Sequence, residues 1–192
     1  MRILYFVLVA TSLILSFSYS QEKVKKTFIP SRPFWSTSEE IGVIIPSGDL
    51  GNTYKASLHL GLDIAYNPKP ILAIFFGLGY DILNLKQSSN GSTPAIIEIN
   101  TGGRLYSGRN KLKFFAEASI GDYIYRYTLY NGVAGAPSSY SSGNLGIKGG
   151  VGGDLSFTNF TSVFIKADYT SILTSGTKST FAGIHIGVRN IF

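Results

Sequence analysis

The chain closes on a stretch, Thr180 to Phe192, whose residues change character with a period of two. Phe192, Val188, Ile186, Ile184 and Ala182 fall on one face, with Asn190 the single polar residue among them. Ile191, Arg189, Gly187, His185, Gly183 and Phe181 fall on the other. A period of two belongs to a strand, whose successive side chains point to opposite sides. One oily face and one face bearing charge, imidazole and glycine place such a strand at a boundary between two media. Taken alone, the stretch also suits the edge strand of a soluble sheet.

The same alternation recurs from Ile41 onward, in eight segments. Ile41, Val43 and Ile45 open the series, and Pro46 to Gly51 reads as a loop. Tyr54 to Tyr66 sets Leu58, Leu60 and Leu62 against Ser57, His59 and Asp63, and Asn67-Pro68-Lys69 reads as a tight turn. Further segments run over Leu72–Ile82, Ile97–Leu105, Leu112–Gly121, Asn144–Leu155 and Val163–Tyr169. Connections after even-numbered segments are short, and those after odd-numbered segments are mostly longer. No apolar run is long enough for a spanning helix, which needs about 20 residues. A membrane location therefore requires a closed barrel, the one sheet that leaves no backbone group unpaired in hydrocarbon.

Met1 to Ser20 has the form of a secretory signal peptide: Arg2, an apolar core from Ile3 to Leu15, then Ser18-Tyr19-Ser20. Residues 21–40 begin with Lys23, Lys25 and Lys26 and read as a periplasmic lead-in, which assigns 41–192 to the barrel. The net charge of +6 is scattered and forms no basic stripe with interleaved aromatics, which argues against nucleic acid as a partner. With no Cys, the chain has neither disulfides nor thiol chemistry.

From Ile41 to Phe192 the chain resembles the small OmpA/OmpX-like outer-membrane β-barrels, and the Pro46-Ser47-Gly48-Asp49-Leu50-Gly51 stretch resembles the first loop of a general outer-membrane β-barrel domain family. The resemblance implies an all-β, eight-stranded antiparallel up-and-down transmembrane β-barrel with both termini in the periplasm. It implies that Phe192, Val188 and Ile186 form the assembly signal read by the barrel-insertion machinery. Outer-membrane lipids and that machinery are the partners it implies. The long loops are then extracellular and available to a ligand that the sequence does not name.

A lipocalin is also an eight-stranded barrel, with an apolar interior and a wet exterior. Three features favour the membrane. The polar face is rich in glycine, as a narrow interior requires. Tyr66, Tyr80, Tyr169 and Phe192 stand near strand ends on the apolar face, as interfacial girdles do. The lipocalin hallmarks, a Gly-x-Trp start and a C-terminal helix, are missing. On the polar face Lys55, Arg104, Lys113, Lys148, Lys166 and Arg189 match Asp63, Asp81, Glu98, Glu117, Asp154 and Asp168 one for one. Equal numbers suit a plugged, charge-balanced lumen better than a selective pore. A hairpin centred on Pro68 pairs Lys55 with Asp81, and one centred on Thr158 pairs Lys148 with Asp168, giving two lumen ion pairs across ladders.

Signs of chemistry are sparse. Ser57, His59 and Asp63 share a face, the residue types of a Ser-His-Asp set, and small lipid A deacylases use Ser and His on barrels of this size. A spacing of two along a strand is common by accident, and a lumen gives lipid no access. The expectation is therefore no catalytic residue, no cofactor and no metal, His59 and His185 lacking a carboxylate cluster beside them. Tyr125, Tyr127, Tyr130 and Tyr140 are the candidate surface-binding residues, since tyrosines give large contact area at low entropy cost. Three readings stay open: a structural or surface-interaction barrel, a lipid-modifying enzyme, and a lipocalin-like carrier.

Overall fold

A computed structural model describes residues 33–87, 94–107, 111–129, 138–174 and 178–192, with the side chains of 128, 129, 138–140 and 178 excepted. The segment read as a signal peptide, residues 21–32 of the lead-in, and Tyr130 lie outside the described residues. Eight strands follow one another around a closed barrel, each antiparallel to the next. They are β1 (Phe34–Ser47), β2 (Tyr54–Lys69), β3 (Leu72–Leu85), β4 (Ala95–Ser107), β5 (Leu112–Leu129), β6 (Ser138–Ser156), β7 (Thr161–Leu173) and β8 (Lys178–Ile191). A short helix, α1 (Gly48–Thr53), stands between β1 and β2, where the sequence reads as a loop. β8 pairs with β1 from Ser36↔Ile191 to Ser47↔Thr180 and closes the ring.

The strands outrun the segments legible in the sequence, because polar residues continue the ladder beyond the apolar band. The largest difference is at the start. Residues 34–40, expected in the lead-in, form the first half of β1 and pair with β2 and β8. Trp35 donates to and accepts from the backbone of Phe192, at 3.2 and 3.0 Å, and its ring lies 5.2 Å from that of Tyr66. Phe192 is thus tied to the first strand of the barrel wall.

Polarity decides what kind of barrel this is. Outward-facing Ile41, Ile74, Leu78, Phe114, Ile147, Ile165 and Ile186 are about half exposed, and they form part of an apolar belt running round the wall. Inward-facing His59, Asp63, Asp81, Glu98, Arg104, Glu117, Lys148, Asp154, Lys166, Asp168, His185 and Arg189 are buried. Apolar outside and charged inside is the arrangement of a transmembrane barrel and the reverse of a lipocalin. Two carboxylates interrupt the belt: Glu39 faces outward between Leu62 of β2 and Val188 of β8, and exposed Asp122 faces outward between Ile99 of β4 and Leu145 of β6.

Among the described residues, buried side chains occupy both ends of the interior. Towards the loops, Ile44, Leu83, Ile96, Tyr123, Ile172 and Phe181 pack into an apolar cluster. Towards the short turns, Phe115 and Phe164 meet edge to face with Tyr106 beside them. Charged side chains occupy the layers between. The crowding explains the glycine-rich run on β6: a Cβ on inward-facing Gly152 would meet the Phe115 ring at 2.4 Å.

Candidate functional site

The lumen charges form networks that cross the barrel. Arg104 donates from Nε to Glu117 Oε2 at 2.7 Å and from its terminal nitrogen to Asp63 Oδ2 at 2.9 Å, three strands being joined by one guanidinium. Its plane lies over Phe75 and Phe115, 4.9 and 5.3 Å from their centroids. Arg189 bonds Asp154 and Ser38 and lies 4.8 Å from the centroid of Phe164. The planar, weakly hydrated guanidinium suits such sites, because it bonds in its plane and stacks on its faces. Lys148 reaches across the lumen to Glu98. Lys166 stands between Glu40 Oε1 at 2.8 Å and Glu117 Oε1 at 3.2 Å.

Neither ion pair expected from hairpin geometry forms. Asp81 lies opposite His59 and accepts at 2.6 Å from or donates to its Nδ1, while Lys55 faces Asn84 and is exposed at the rim. Lys148 lies opposite Thr170, and Asp168 opposite Gly150. The causes are the turns and, on β2, a register shift between Lys55 and Leu58 that sets Lys55 opposite Asn84. β2 runs on through Asn67 and Pro68 to Lys69, and the chain reverses at Pro70 and Ile71. Asn67 serves the wall instead, its side-chain amide donating to Ser36 Oγ at 3.0 Å. Between β6 and β7 the Thr158 hydroxyl accepts from the backbone of Phe160 and Thr161, which moves the centre of the turn by one residue. Moving a turn centre by one residue moves the partner by two, so the face survives and the pairing does not.

The charge balance also differs from expectation. Lys55 is exposed and Lys113 half-buried, while Glu40 joins the lumen from the first half of β1. Among the described residues seven carboxylates (Glu40, Asp63, Asp81, Glu98, Glu117, Asp154, Asp168) face four buried cations (Arg104, Lys148, Lys166, Arg189), an excess of three negative charges before the histidines are considered. Carboxylates also stand beside the histidines, contrary to expectation. One ligand atom from each of Glu40, His59 and His185 lies within 4.8 Å of the others, and His59, Asp81 and Glu98 form a second such group. The signal in the sequence is the alternation Ser36, Ser38, Glu40, Gly42, which continues the lumen face of β1 backwards past Ile41.

Ser57, His59 and Asp63 do not assemble into a nucleophile and base. The Ser57 hydroxyl donates to Lys55 O at 2.8 Å and accepts from Asn84 N at 3.0 Å. His59 is held by Asp81 and Asp63 by Arg104. Of the candidate surface tyrosines, Tyr125 packs against the apolar cluster inside the loop end of the lumen, so it is a wall residue and not a surface one. Tyr127 is 43% exposed and lies opposite Tyr140 on β6. Phe192 and Ile186 face outward and exposed, with Val188 half-buried between them.

No protein-family model matches the sequence, and no curated protein matches it closely enough to count as a relative. Solved structures do match the fold. Neisserial surface protein A (NspA) aligns over 82% of this chain and 97% of its own, with a TM-score of 0.64 at 13% identity. Ail, the attachment invasion locus protein of Yersinia pestis, solved with the heparin analogue sucrose octasulfate, aligns over 84% of this chain and 99% of its own, with a TM-score of 0.57 at 12% identity. A major outer membrane protein of Thermus thermophilus aligns over 82% of this chain and 99% of its own, with a TM-score of 0.57 at 11% identity. The chain therefore has the fold of the small eight-stranded outer-membrane barrels.

Proposed function

We propose that the protein is a bacterial outer-membrane barrel with a filled lumen, which presents the connections after its odd-numbered strands at the cell surface. The observation that carries this reading is the inverted polarity: a belt of exposed Ile, Leu, Val and Phe encloses a buried set of carboxylates, ammonium groups, guanidinium groups and imidazoles. Such a surface is stable only against hydrocarbon. The start of β1 at Phe34 and the last residue, Phe192, lie at the end with the short turns, which supports a periplasmic location for that end. The outward row Ile186, Val188 and Phe192 supports a role in delivery to the barrel-insertion machinery. The role at the surface is structural or adhesive, through the loops.

The test is fractionation of expressing cells followed by gel migration with and without heating. The expected result is recovery with the outer membrane only in detergent, and a folded band that shifts on heating. Recovery as a soluble periplasmic protein would overturn the reading and return the lipocalin alternative.

One observation favours a ligand class for the loops. Lys55 and Lys86 are exposed at the loop ends of neighbouring strands β2 and β3, with Lys86 N bonded to Thr53 O at 2.9 Å. This local positive charge, on a fold shared with a protein solved with a heparin analogue, supports a sulfated polysaccharide as a ligand. Retention of the detergent-solubilised barrel on heparin should fall with salt and fall again in Lys55→Gln, Lys86→Gln; retention unchanged by both would exclude it.

A further inference from the structure

The chain has two histidines, and the barrel brings them together at its seam. Gly42 of β1 lies opposite His59 of β2 on one side and His185 of β8 on the other. Because Gly42 has no side chain, the two imidazoles meet over it edge to face, their centroids 4.6 Å apart. A Cβ at this position would lie 2.3 Å from His185 Nδ1. Glu40, the neighbouring lumen residue of β1, brings Oε1 to 3.3 Å from His59 Nε2. The space for that meeting is left by a second glycine, Gly61, whose Cβ would stand 2.8 Å from each of those atoms.

Each imidazole has a carboxylate behind it. Asp81 Oδ1 lies 2.6 Å from His59 Nδ1, which orients Nε2 toward Glu40 and His185. Asp168 Oδ2 lies 3.1 Å from His185 Nε2. A carboxylate behind a histidine fixes its ring and tautomer and strengthens the other nitrogen as a ligand.

Three further observations point to a cation. His185 is 2% exposed, and beyond the Asp168 contact at Nε2 its Nδ1 has no hydrogen-bond partner. Glu40 Oε2 is likewise buried without a partner. The surrounding lumen carries the excess of carboxylates described above. Lys166 already neutralises Glu40 Oε1, but it keeps Glu117 at 3.2 Å and Asp168 at 3.9 Å if Glu40 turns its free oxygen to another cation.

We propose that Glu40, His59 and His185 hold one borderline divalent transition metal, zinc first among them, in the lumen. Two imidazoles and a carboxylate suit zinc, whereas magnesium and calcium prefer oxygen donors throughout. Asp81 and Asp168 orient the ligands. The three ligands come from β8, β1 and β2, so the metal fastens the strands at which the barrel closes. A metal bound by the closed barrel and not by the open chain stabilises the closed one. This inference rests on lumen geometry and not on any surface role, and it holds or fails whatever the loops bind.

The experiment uses the untagged chain from Gln21 to Phe192, unfolded with chelator and refolded into detergent. Zinc chloride is added before refolding in one arm and after it in the other, and bound metal is measured after desalting. Wild type should retain one zinc per chain in at least the first arm and lose its folded gel band at a higher temperature than without zinc. Cobalt should give the visible absorption of a low-coordinate site, and magnesium should neither bind nor stabilise. Zinc retention should be lost in His185→Asn and in Glu40→Gln, each first shown to fold by its heat-sensitive band. Asp168→Asn should weaken binding about tenfold. Should one ligand variant fail to fold, the other decides. No zinc retained by folded wild type in either arm would overturn the proposal, as would equal retention by a folded ligand variant.

Discussion

Alternate residues of the same strands face two different media. On the outer face of β7 and β8, Ile165, Ile184 and Ile186 meet lipid, and any apolar side chain serves there. On the inner face of the same strands, Lys166 and Arg189 have named partners on strands beyond their neighbours, and Asp168 and His185 lie against each other. The outer face demands only a property; the inner face demands a particular shape and charge at each position. The reason is dielectric. In the closed interior a removed partner leaves a buried charge uncompensated, whereas a removed methylene on the belt costs only contact area.

The sharpest way to break this contrast is Arg104→Ala. It strips Asp63 and Glu117 of their guanidinium at once. The folded barrel should lose about 3–5 kcal/mol, as for a broken buried ion pair, read by urea titration of the folded gel band. Leu105→Ala on the adjacent outward position, which is 60% exposed, should lose far less in the same titration.

The second test puts the wrong property on the outer face. Ile165→Lys, on a belt residue paired with Ile186 near mid-strand, should cost about 2–4 kcal/mol in lipid vesicles. A loss under about 0.5 kcal/mol would place that residue near the interface rather than mid-membrane.

Glu39 lets the same comparison run in reverse. It is a charged residue on the lipid face, with Oε2 buried and unpartnered. Glu39→Leu should stabilise the barrel by about 1 kcal/mol. A destabilisation would reveal a positive role for this carboxylate.

Two smaller effects sharpen the account of the ends. Removing Phe192 deletes the residue whose backbone makes two bonds with Trp35, so insertion yield should fall more than in Asn190→Tyr, which removes the side-chain oxygen that accepts from Thr161 Oγ1 at 3.1 Å. Lys55→Ala should change stability by less than about 0.5 kcal/mol, because this lysine is an exposed rim residue and has no Asp81 partner to lose. A steady open conductance in planar bilayers would contradict the packed interior altogether.

How far the site is legible follows from parity. A strand's alternation assigns a residue to a face, and for the lumen residues from His59 to Arg189 that assignment agrees with the structure. Glu40 escapes it because the Lys-rich and Pro-bearing stretch before it resembles a lead-in, although Ser36, Ser38 and Glu40 continue the inward row. Tyr125 misleads because Tyr123-Ile124-Tyr125-Arg126-Tyr127 contains tyrosines on the inward face, and local composition does not say that an apolar plug waits there.

The period, the number of strands, the closing aromatic residue and the polarity of each face are written in the linear order of residues, because these depend on neighbours two positions apart. The partners exist only once the barrel closes. Which of Pro68 and Pro70 turns the chain depends on where Asn67 finds Ser36. Which histidine meets which depends on the register of β1 between the chain's last strand and its second. The contacts of the first strand with the last join residues more than a hundred positions apart, and a turn moved by one residue keeps the face while exchanging the partner.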